Sequence, residues 1–316
     1  MIINNKNISY TQWCIALYRE ITAKTHKPEE ASPPDWFWVI DACVHPELPG
    51  ILWQLDSSPD ACALYMSTFM EEAMQSGPWF MPCNVESSTT QWLFNQLEKV
   101  PLGFLLSVPR GGGDEMYEHL QNLLECTFSQ AKNSQPHEKK AGLFRFYDPR
   151  ILYGLTTFYD SDYINLVKGP ALSLHAWEPG RSIPLTNRYT TDQKNFCTGT
   201  PQLPKSLIDH LWKENQVHTI IATLDGDPGV QLRSMPLPEA YEYVDGIRNK
   251  LKNSPYISNT DVSFITAYSL LSLDEEWKEV LEQITLTQFL DCSTLDIALE
   301  KSFAAREKFI QQQTSL

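Results

Sequence analysis

Short apolar runs with strand character, separated by helical segments, constrain the fold of this chain more than any other feature. Each run has the length and composition of a strand with one or both faces buried. The runs cover residues 36–42, 61–67, 79–83, 102–108, 142–147 and 171–177. Helical segments between strands are typical of helices packed on a sheet. The sequence therefore predicts an α/β (α+β) N-terminal lobe with a mixed sheet covered by helices.

The second half of the chain shows a helical period instead. One apolar stripe lies within residues 277–284, and residues 295–311 also have helical spacing. We therefore expect a mainly α-helical C-terminal lobe after a connection rich in proline, glycine and polar residues. The predicted parts are an N-terminal helix and linker at 1–34, an α/β domain at 35–178, the connection at 179–204 and the helical lobe at 205–316.

Charge and composition exclude several classes of function. The formal net charge is -14, with no run of lysine and arginine to offset it, which argues against nucleic-acid binding. Polar residues interrupt every apolar run before it reaches the length of a membrane span, so we expect a cytoplasmic protein. The seven cysteines contain no C-x-x-C pair, which predicts reduced thiols and no zinc site.

Local catalytic signatures are missing from the sequence. It contains no G-x-S-x-G, G-x-x-x-x-G-K-[ST], G-x-G-x-x-G or H-E-x-x-H motif, and we expect neither a cofactor nor a metal. His175 and Glu178 come nearest to an acid/base pair. Without an evident nucleophile, an ordinary hydrogen-bonding role is the simpler interpretation of that pair.

The segment FRFYDPR, residues 144–150, is the most distinctive motif of the chain. Strand alternation predicts that Phe144 and Phe146 join the core, while Arg145 and Tyr147 lie on the opposite face. Asp148 has the chemistry of a helix N-cap, and Pro149 suits the first helical position because its missing N–H needs no partner there. The motif therefore predicts a corner between a strand and a helix.

The arginines and aromatic residues leave two interpretations open. A guanidinium at position 145 or 150 can pair with Asp41, stack on Tyr147 or face a carboxylate of a partner. Tryptophans in strand-like runs are either core or interface residues. The candidate binding residues are Arg145, Tyr147, Arg150, Trp38 and Trp79, and the candidate structural residues are Asp41, Phe144, Phe146, Asp148 and Pro149.

Six sequence segments together carry a resemblance to a known family. They are VIDA at 39–42, Leu64-Tyr65, Gly77-Pro78-Trp79, the strand at 103–107, the helix that contains His119-Leu120, and the complete FRFYDPR followed by Ile151-Leu152. With these segments, residues 36–177 resemble the type VI secretion adaptor family of the Tap or VasW type, whose hallmark is the domain of unknown function 4123. One departure is Met66, where relatives usually place glycine after the Leu-Tyr pair.

The resemblance implies a function. Members of this family are cytosolic, non-catalytic adaptors that load a toxic effector onto its cognate VgrG spike protein. We therefore expect this protein to bind an effector, through the effector's N-terminal region, and a VgrG protein, and to be monomeric until it binds. Two alternatives stay open: an immunity protein that neutralises a toxin by binding it, and a hydrolase with dispersed residues such as His175 and Glu178.

Overall fold

The computed structural model describes residues 8–23, 32–56, 60–130, 138–158, 162–188, 200–224 and 226–251 of the chain. The chain forms two compact units, Met1–Asn215 and Gln216–Leu316. The helical segments predicted at 277–284 and 295–311 lie outside the described residues.

Nine strands occur in the described residues, and six of them form one antiparallel sheet with the order β2-β3-β1-β4-β7-β8. The small second sheet has the order β6-β5-β9. The strands are β1 (Asp35–Asp41), β2 (Cys62–Ala63), β3 (Pro78–Pro82), β4 (Gly103–Val108), β5 (Glu125–Gln130), β6 (Glu138–Leu143), β7 (Ser173–Glu178), β8 (Ile183–Arg188) and β9 (Gln202–Leu203).

Nine α-helices and one 3-10 helix, Glu71–Ser76, accompany these strands within the described ranges. The α-helices are α1 (Tyr10–Thr22), α2 (Leu48–Leu55), α3 (Ser88–Leu97), α4 (Gly113–Leu123), α5 (Pro149–Thr157), α6 (Asp162–Lys168), α7 (Lys205–Thr223), α8 (Gly226–Ser234) and α9 (Leu237–Leu251). None of the described helices is long and apolar enough to cross a membrane.

Helices cover both faces of the six-stranded sheet, and this confirms the predicted α/β fold class. Side chains of a strand alternate between the faces, so β1 sends Trp36, Trp38 and Ile40 to one core and Val39 to the other. The first core also contains Leu17 of α1 and leucines of α2 and α3, while the second contains apolar residues of α4 to α7. Burial on both faces explains why the strands read as continuous apolar runs.

The pairing of the strands differs in one respect from the prediction. The large sheet is antiparallel throughout rather than mixed, and mixed pairing occurs in the small sheet, where β5 runs antiparallel to β6 and parallel to β9. Apolar runs alone do not distinguish the two arrangements when helices bury both faces of a sheet.

Two predicted segments have a different structure. Strand β6 ends at Leu143, so residues 144–147 are not a strand; the Asp148 amide donates to the carbonyl of Arg145 at 3.1 Å and closes a turn instead. The predicted connection at 179–204 contains β8, which pairs with β7 as a hairpin. Its sequence, IPLTNR, lacks a clear alternation and begins beside a proline, which hides the strand from pattern analysis.

The second unit has its own small core in its described part. The residues come from the end of α7, from Leu224 directly after it, and from α8 and α9, where apolar positions recur on one face. They are Val217, Ile220, Ile221, Leu224, Leu232, Ala240, Tyr241 and Val244. This agrees with the predicted helical character of the C-terminal part.

Candidate functional site

The FRFYDPR segment turns the chain from the small sheet into α5. Asp148 is the N-cap of this helix: its Oδ1 accepts a hydrogen bond from the amide of Arg150 at 2.9 Å. Pro149 is the first helical residue. A cap of this kind satisfies an amide at the helix terminus that has no partner within the helix.

The guanidinium of Arg150 closes back onto the same carboxylate. Its Nε donates to both Asp148 oxygens, at 2.9 and 3.1 Å, and its Nη2 donates to Oδ2 at 2.6 Å. Asp148 is buried, and the Arg150 side chain is 22% exposed. Arg150 therefore neutralises the cap and keeps little surface for contact with another protein.

Asp41 and Arg145 form the second ion pair of the corner. Nη2 of Arg145 donates to Oδ2 of Asp41 at 2.8 Å, and the amide of Cys43 donates to Oδ1 at 2.9 Å. Burial raises the pKa of the fully buried Asp41 carboxyl, and the Arg145 charge opposes this shift. The pair holds the end of β1 against the FRFYDPR corner.

Two tyrosine hydroxyls complete this arrangement. The hydroxyls of Tyr65 and Tyr147 lie 2.7 Å apart, and the Arg145 guanidinium carbon lies 5.8 Å from the centroid of the Tyr147 ring. Burial raises the pKa of both phenols, so both stay neutral. We call Asp41, Tyr65, Arg145 and Tyr147 the corner network.

A glycine lets Tyr65 reach this position. A Cβ atom at Gly77 would lie 2.3 Å from Cδ2 of the Tyr65 ring, so a larger residue there would displace the ring. The carbonyl of Gly77 also accepts from the amide of Ala42 at 3.2 Å. The segments around residues 41, 65, 77 and 147 therefore converge on one point, although they are far apart in the sequence.

The structure locates the remaining candidate residues as follows. Phe144 and Phe146 are buried, and their rings meet edge to face with centroids 6.0 Å apart. Trp38 is 0% exposed and donates from Nε1 to Thr90 Oγ1 at 3.3 Å. Trp79 is half-buried against the core that contains Trp38.

Two of the candidate binding residues do not reach the surface. Trp38 is 0% and Tyr147 is 2% exposed, so neither ring is available to a partner in this structure. For Tyr147 the physical reason is the turn at residues 145–148, which replaces the predicted strand and with it the alternation of faces. Arg145, whose side chain is 39% exposed, is the corner residue most open to solvent.

His175 and Glu178 do not form the acid/base pair that a hydrolase would need. Nε2 of His175 lies 2.8 Å from Ser173 Oγ, whereas the Glu178 carboxylate accepts from the amides of Gly180 and Arg181 at 3.2 and 2.6 Å. Both side chains are buried, and their separation of three positions along β7 sends them to opposite faces. Among the described residues there is also no group of three His, Cys, Asp or Glu that could hold a metal.

The burial of His175 predicts a loss of stability in acid. Burial lowers the pKa of this imidazole to about 3, below its ordinary value of 6.5. Between these two pH values the unfolded chain binds a proton at this site and the folded chain does not. The contribution of His175 to the free energy of unfolding is therefore fully present above pH 6.5 and decreases as the pH falls. From pH 7 to pH 5, this one site should lower the free energy of unfolding by about 2 kcal/mol.

Denaturant unfolding of the native protein and His175→Gln at pH 7 and pH 5 checks this expectation. The variant should lose about 2 kcal/mol less than the native protein between the two pH values. His119, whose pKa burial also lowers, leaves a slope of the same sign in both proteins. Equal losses in the two proteins would contradict the assignment to His175.

Removal of the α5 cap is expected to have a moderate effect. Asp148→Ala deletes the acceptor for the Arg150 amide and leaves the Arg150 guanidinium without its carboxylate. We expect a loss of about 2 kcal/mol, because a lost cap alone gives about 1 kcal/mol. Asp148→Asn is the matched control, since its amide oxygen can still cap the helix. Equal losses for the two variants in denaturant unfolding would show that the charge, not the cap, is responsible.

Comparison with known proteins gave a family match to part of the chain. The model of a family described as Domain of unknown function (DUF4123) matches residues 36–165. This family is associated with type VI secretion effector adaptors. The search of curated proteins and the search of solved structures gave no significant match. The matched range extends from β1 into α6 and contains the whole corner network.

Tyr65 and Gly77 are two residues of the site whose partners no local pattern indicates. Tyr65 lies in the predicted strand 61–67, and both residues belong to segments that carry the resemblance. Tyr65 reaches Tyr147 across 82 residues. No local spacing rule predicts a contact of that range.

Proposed function

We propose that this protein is a non-catalytic cytoplasmic adaptor that binds a toxic effector and loads it onto a VgrG spike protein. The observation that carries the proposal is the DUF4123 match over residues 36–165, the part of the chain that holds the corner network. The network supports a structural role for these motif segments, because its ion pair joins Asp41 to Arg145 and its two tyrosine hydroxyls hydrogen-bond to each other. A domain held rigid by such contacts suits a protein whose function is to bind and position partners.

Arg145 is the corner residue through which we propose direct contact with a partner. Its Nη2 is engaged by Asp41, while the side chain as a whole is 39% exposed. A guanidinium can hold a carboxylate through two parallel hydrogen bonds, and arginine is enriched among residues that dominate binding energy. A carboxylate of the partner would complete the arrangement at the surface.

Exposed apolar side chains on the first unit provide further anchors for a partner. Large apolar residues that are left exposed favour interface roles when they are aromatic, because tryptophan and tyrosine contribute much contact area with few rotatable bonds. In the described part of this unit they are Ile15, Tyr18, Trp53, Met66, Phe69, Leu172 and Trp212.

Binding both partners at once would let the adaptor load the effector onto the spike. We propose that the protein is monomeric until it binds, and that one surface takes the N-terminal region of the effector while another takes the VgrG protein. Each stable interface should bury on the order of 1,600 Å². Holding both partners raises the effective concentration of effector at the spike, so loading no longer depends on a bimolecular encounter.

Co-expression with the products of adjacent genes tests the proposal. Tagged protein should retain a VgrG protein and a toxin-like neighbour during purification at low salt, and a ternary complex should elute as one species in size-exclusion chromatography. Retention of neither product would reject the proposal. An unrelated acidic protein of similar size serves as the control for non-specific capture.

Toxin delivery between an attacking cell and a target cell separates an adaptor from an immunity protein. An adaptor is needed by the attacking cell for delivery of the toxin, and its absence from the target cell changes nothing. An immunity protein protects a cell that expresses it alone together with the toxin. Protection of the target cell by this protein would therefore favour the immunity alternative.

A further inference from the structure

The loop between β2 and the 3-10 helix presents two large apolar side chains to solvent. Met66 is 43% and Phe69 is 58% exposed, and they lie three positions apart in the chain. Met70, the next residue, is half-buried and packs on the second core. The loop thus has an inner side that belongs to the fold and an outer side that carries Met66 and Phe69, which we call the loop surface.

Side chains of α4 fix the backbone of this loop. The hydroxyl of Tyr117 donates to the carbonyl of Ala63 at 2.9 Å. Nε2 of Gln121 donates to the carbonyls of Leu64 and Met66, at 3.2 and 2.8 Å. One helix therefore holds three backbone carbonyls of this segment, which limits the freedom of the loop before any partner binds.

Hydrogen bonds within the loop hold its tip. Both the amide and the hydroxyl of Thr68 donate to the carbonyl of Tyr65, at 3.2 and 2.7 Å. The amide of Met70 donates to the Thr68 hydroxyl at 3.2 Å, and Ser67 takes a φ of 60° to allow the tight path. The loop surface is preorganised, and a preorganised surface loses less conformational entropy on binding.

The neighbouring sheet edge is not open for strand addition. β2 is the last strand of the six-stranded sheet, and an edge strand ordinarily offers its carbonyls to a further strand. Here Tyr117 and Gln121 occupy the carbonyls of Ala63 and Leu64. A partner would therefore bind at the loop surface through the side chains of Met66 and Phe69, and not by adding a strand to the sheet.

The charges around the loop surface are acidic. Glu71 and Glu72 are exposed and follow Phe69 and Met70 in the chain. At β2, which precedes the loop, the carboxylates of Asp60 and Asp114 help to raise the pKa of the Cys62 thiol, although burial is the larger cause. Two apolar side chains bordered by carboxylates match an apolar segment that carries lysine or arginine.

A second copy of this chain fits the loop surface poorly. A two-fold contact would place Glu71 and Glu72 of both copies around the same apolar centre, and juxtaposed like charges oppose association. The acidic border therefore favours a different partner of opposite charge.

We propose that the loop surface formed by Met66 and Phe69 binds a protein segment whose apolar side chains are flanked by lysine or arginine. This inference rests on the proposed function in one respect, since the segment would belong to the effector or spike protein that the adaptor holds. The recognition itself follows from the preorganised apolar pair and its acidic border.

Two synthetic peptides test the recognition without a natural partner. Both peptides have leucine at the same positions. The remaining positions carry lysine in one peptide and glutamate in the other. We expect the lysine peptide to bind the full-length protein and the glutamate peptide not to bind, as measured by fluorescence anisotropy. Met66→Ser/Phe69→Ser should weaken binding of the lysine peptide about tenfold. Glu71→Gln/Glu72→Gln should weaken it less and reduce its salt dependence.

The control is Val230→Ser, which removes an exposed apolar side chain (64%) that is not among the proposed anchors of the first unit. This variant should bind the lysine peptide as the native protein does. The inference is overturned if neither peptide binds, if the glutamate peptide binds equally well, or if Met66→Ser/Phe69→Ser leaves the affinity unchanged. Because all substituted side chains are exposed, thermal melting curves should stay close to that of the native protein.

Capture of natural partners separates this inference from the proposed function. If native protein captures a product of an adjacent gene and Met66→Ser/Phe69→Ser captures the same amount, the loop surface is not the binding site, although the adaptor function stands. If no such product is captured while the lysine peptide still depends on Met66 and Phe69, the adaptor function is rejected and the loop surface stands.

Discussion

Gly103→Ala is expected to destabilise the first unit by more than about 4 kcal/mol, the largest effect of any single substitution considered for this protein. Gly103 has a φ of +155° and pairs with Ile40 where β4 begins beside β1. A Cβ atom at this position would lie 2.0 Å from the carbonyl oxygen of Val39. Because the obstacle is backbone in the middle of the sheet, no side-chain rotation relieves the clash.

Gly50→Ala provides the matched control for this substitution. Gly50 lies in α2, and a Cβ atom there would meet nothing within 4 Å. Alanine in a helix is preferred over glycine, so we expect a small gain of about 0.5 kcal/mol. Denaturant unfolding followed by circular dichroism compares the two variants. A folded Gly103→Ala protein with native stability would show that β1 and β4 do not pair as described.

Arg145→Ala is expected to give the second largest loss, about 3 kcal/mol. The substitution leaves the carboxylate of Asp41, which is 0% exposed, without its ion-pair partner. Breaking a buried pair typically gives a loss of about 3–5 kcal/mol, and we take the lower end because the Arg145 side chain is 39% exposed and solvent screens it. Arg188→Ala is the control, since its pair with Glu20 is exposed and should contribute less than about 1 kcal/mol.

The effect of Arg145→Ala should depend on pH. In the native protein, burial raises the pKa of Asp41 and the Arg145 charge restrains that rise. Without Arg145 the folded-state pKa rises further, so the folded variant takes up a proton more readily than the native protein does. The destabilisation should therefore be largest at neutral pH and should shrink as the pH falls. Unfolding measurements at pH 7.5 and pH 5 check this, and a loss that grows in acid would contradict it.

Partner binding by corner variants distinguishes the two roles of Arg145. Asp41→Asn/Arg145→Ala removes both charges, so it should recover part of the stability that Arg145→Ala loses. If Arg145 also contacts a partner's carboxylate, the double variant stays weak in capture of the partner although its stability returns. Recovery of stability and capture together would show that Arg145 serves the fold alone.

The sequence predicted the fold class for a physical reason that acts locally. Strand-like runs and helical stripes record which side chains are buried in each element, and residues 36–42 and 102–108 correspond to β1 and β4. The cap chemistry of Asp148 and the first-turn position of Pro149 are also local, because they depend on neighbours within one helical turn. These features need no knowledge of the rest of the chain.

Other features escaped because they depend on distant segments. The strand β8 exists because a turn at Pro179–Ser182 returns the chain to β7, where its backbone groups find partners. Strand β6 ends at Leu143, and the turn that follows it buries Tyr147. The predicted strand had placed the Tyr147 side chain on the face opposite to Phe144 and Phe146. The spacing of apolar residues in the sequence cannot show where a neighbouring strand stops forming hydrogen bonds.

By itself, the sequence determined the fold class, the central strands β1 and β4, the helix cap at Asp148, and the motif segments that resemble type VI secretion adaptors. Only the tertiary structure decided that Arg145 pairs with Asp41 across 104 residues, that Tyr65 meets Tyr147, and that Met66 and Phe69 stay exposed on a braced loop. The reason is that burial patterns and caps follow from near neighbours, whereas ion pairs and exposed surfaces follow from how the antiparallel register brings distant segments together.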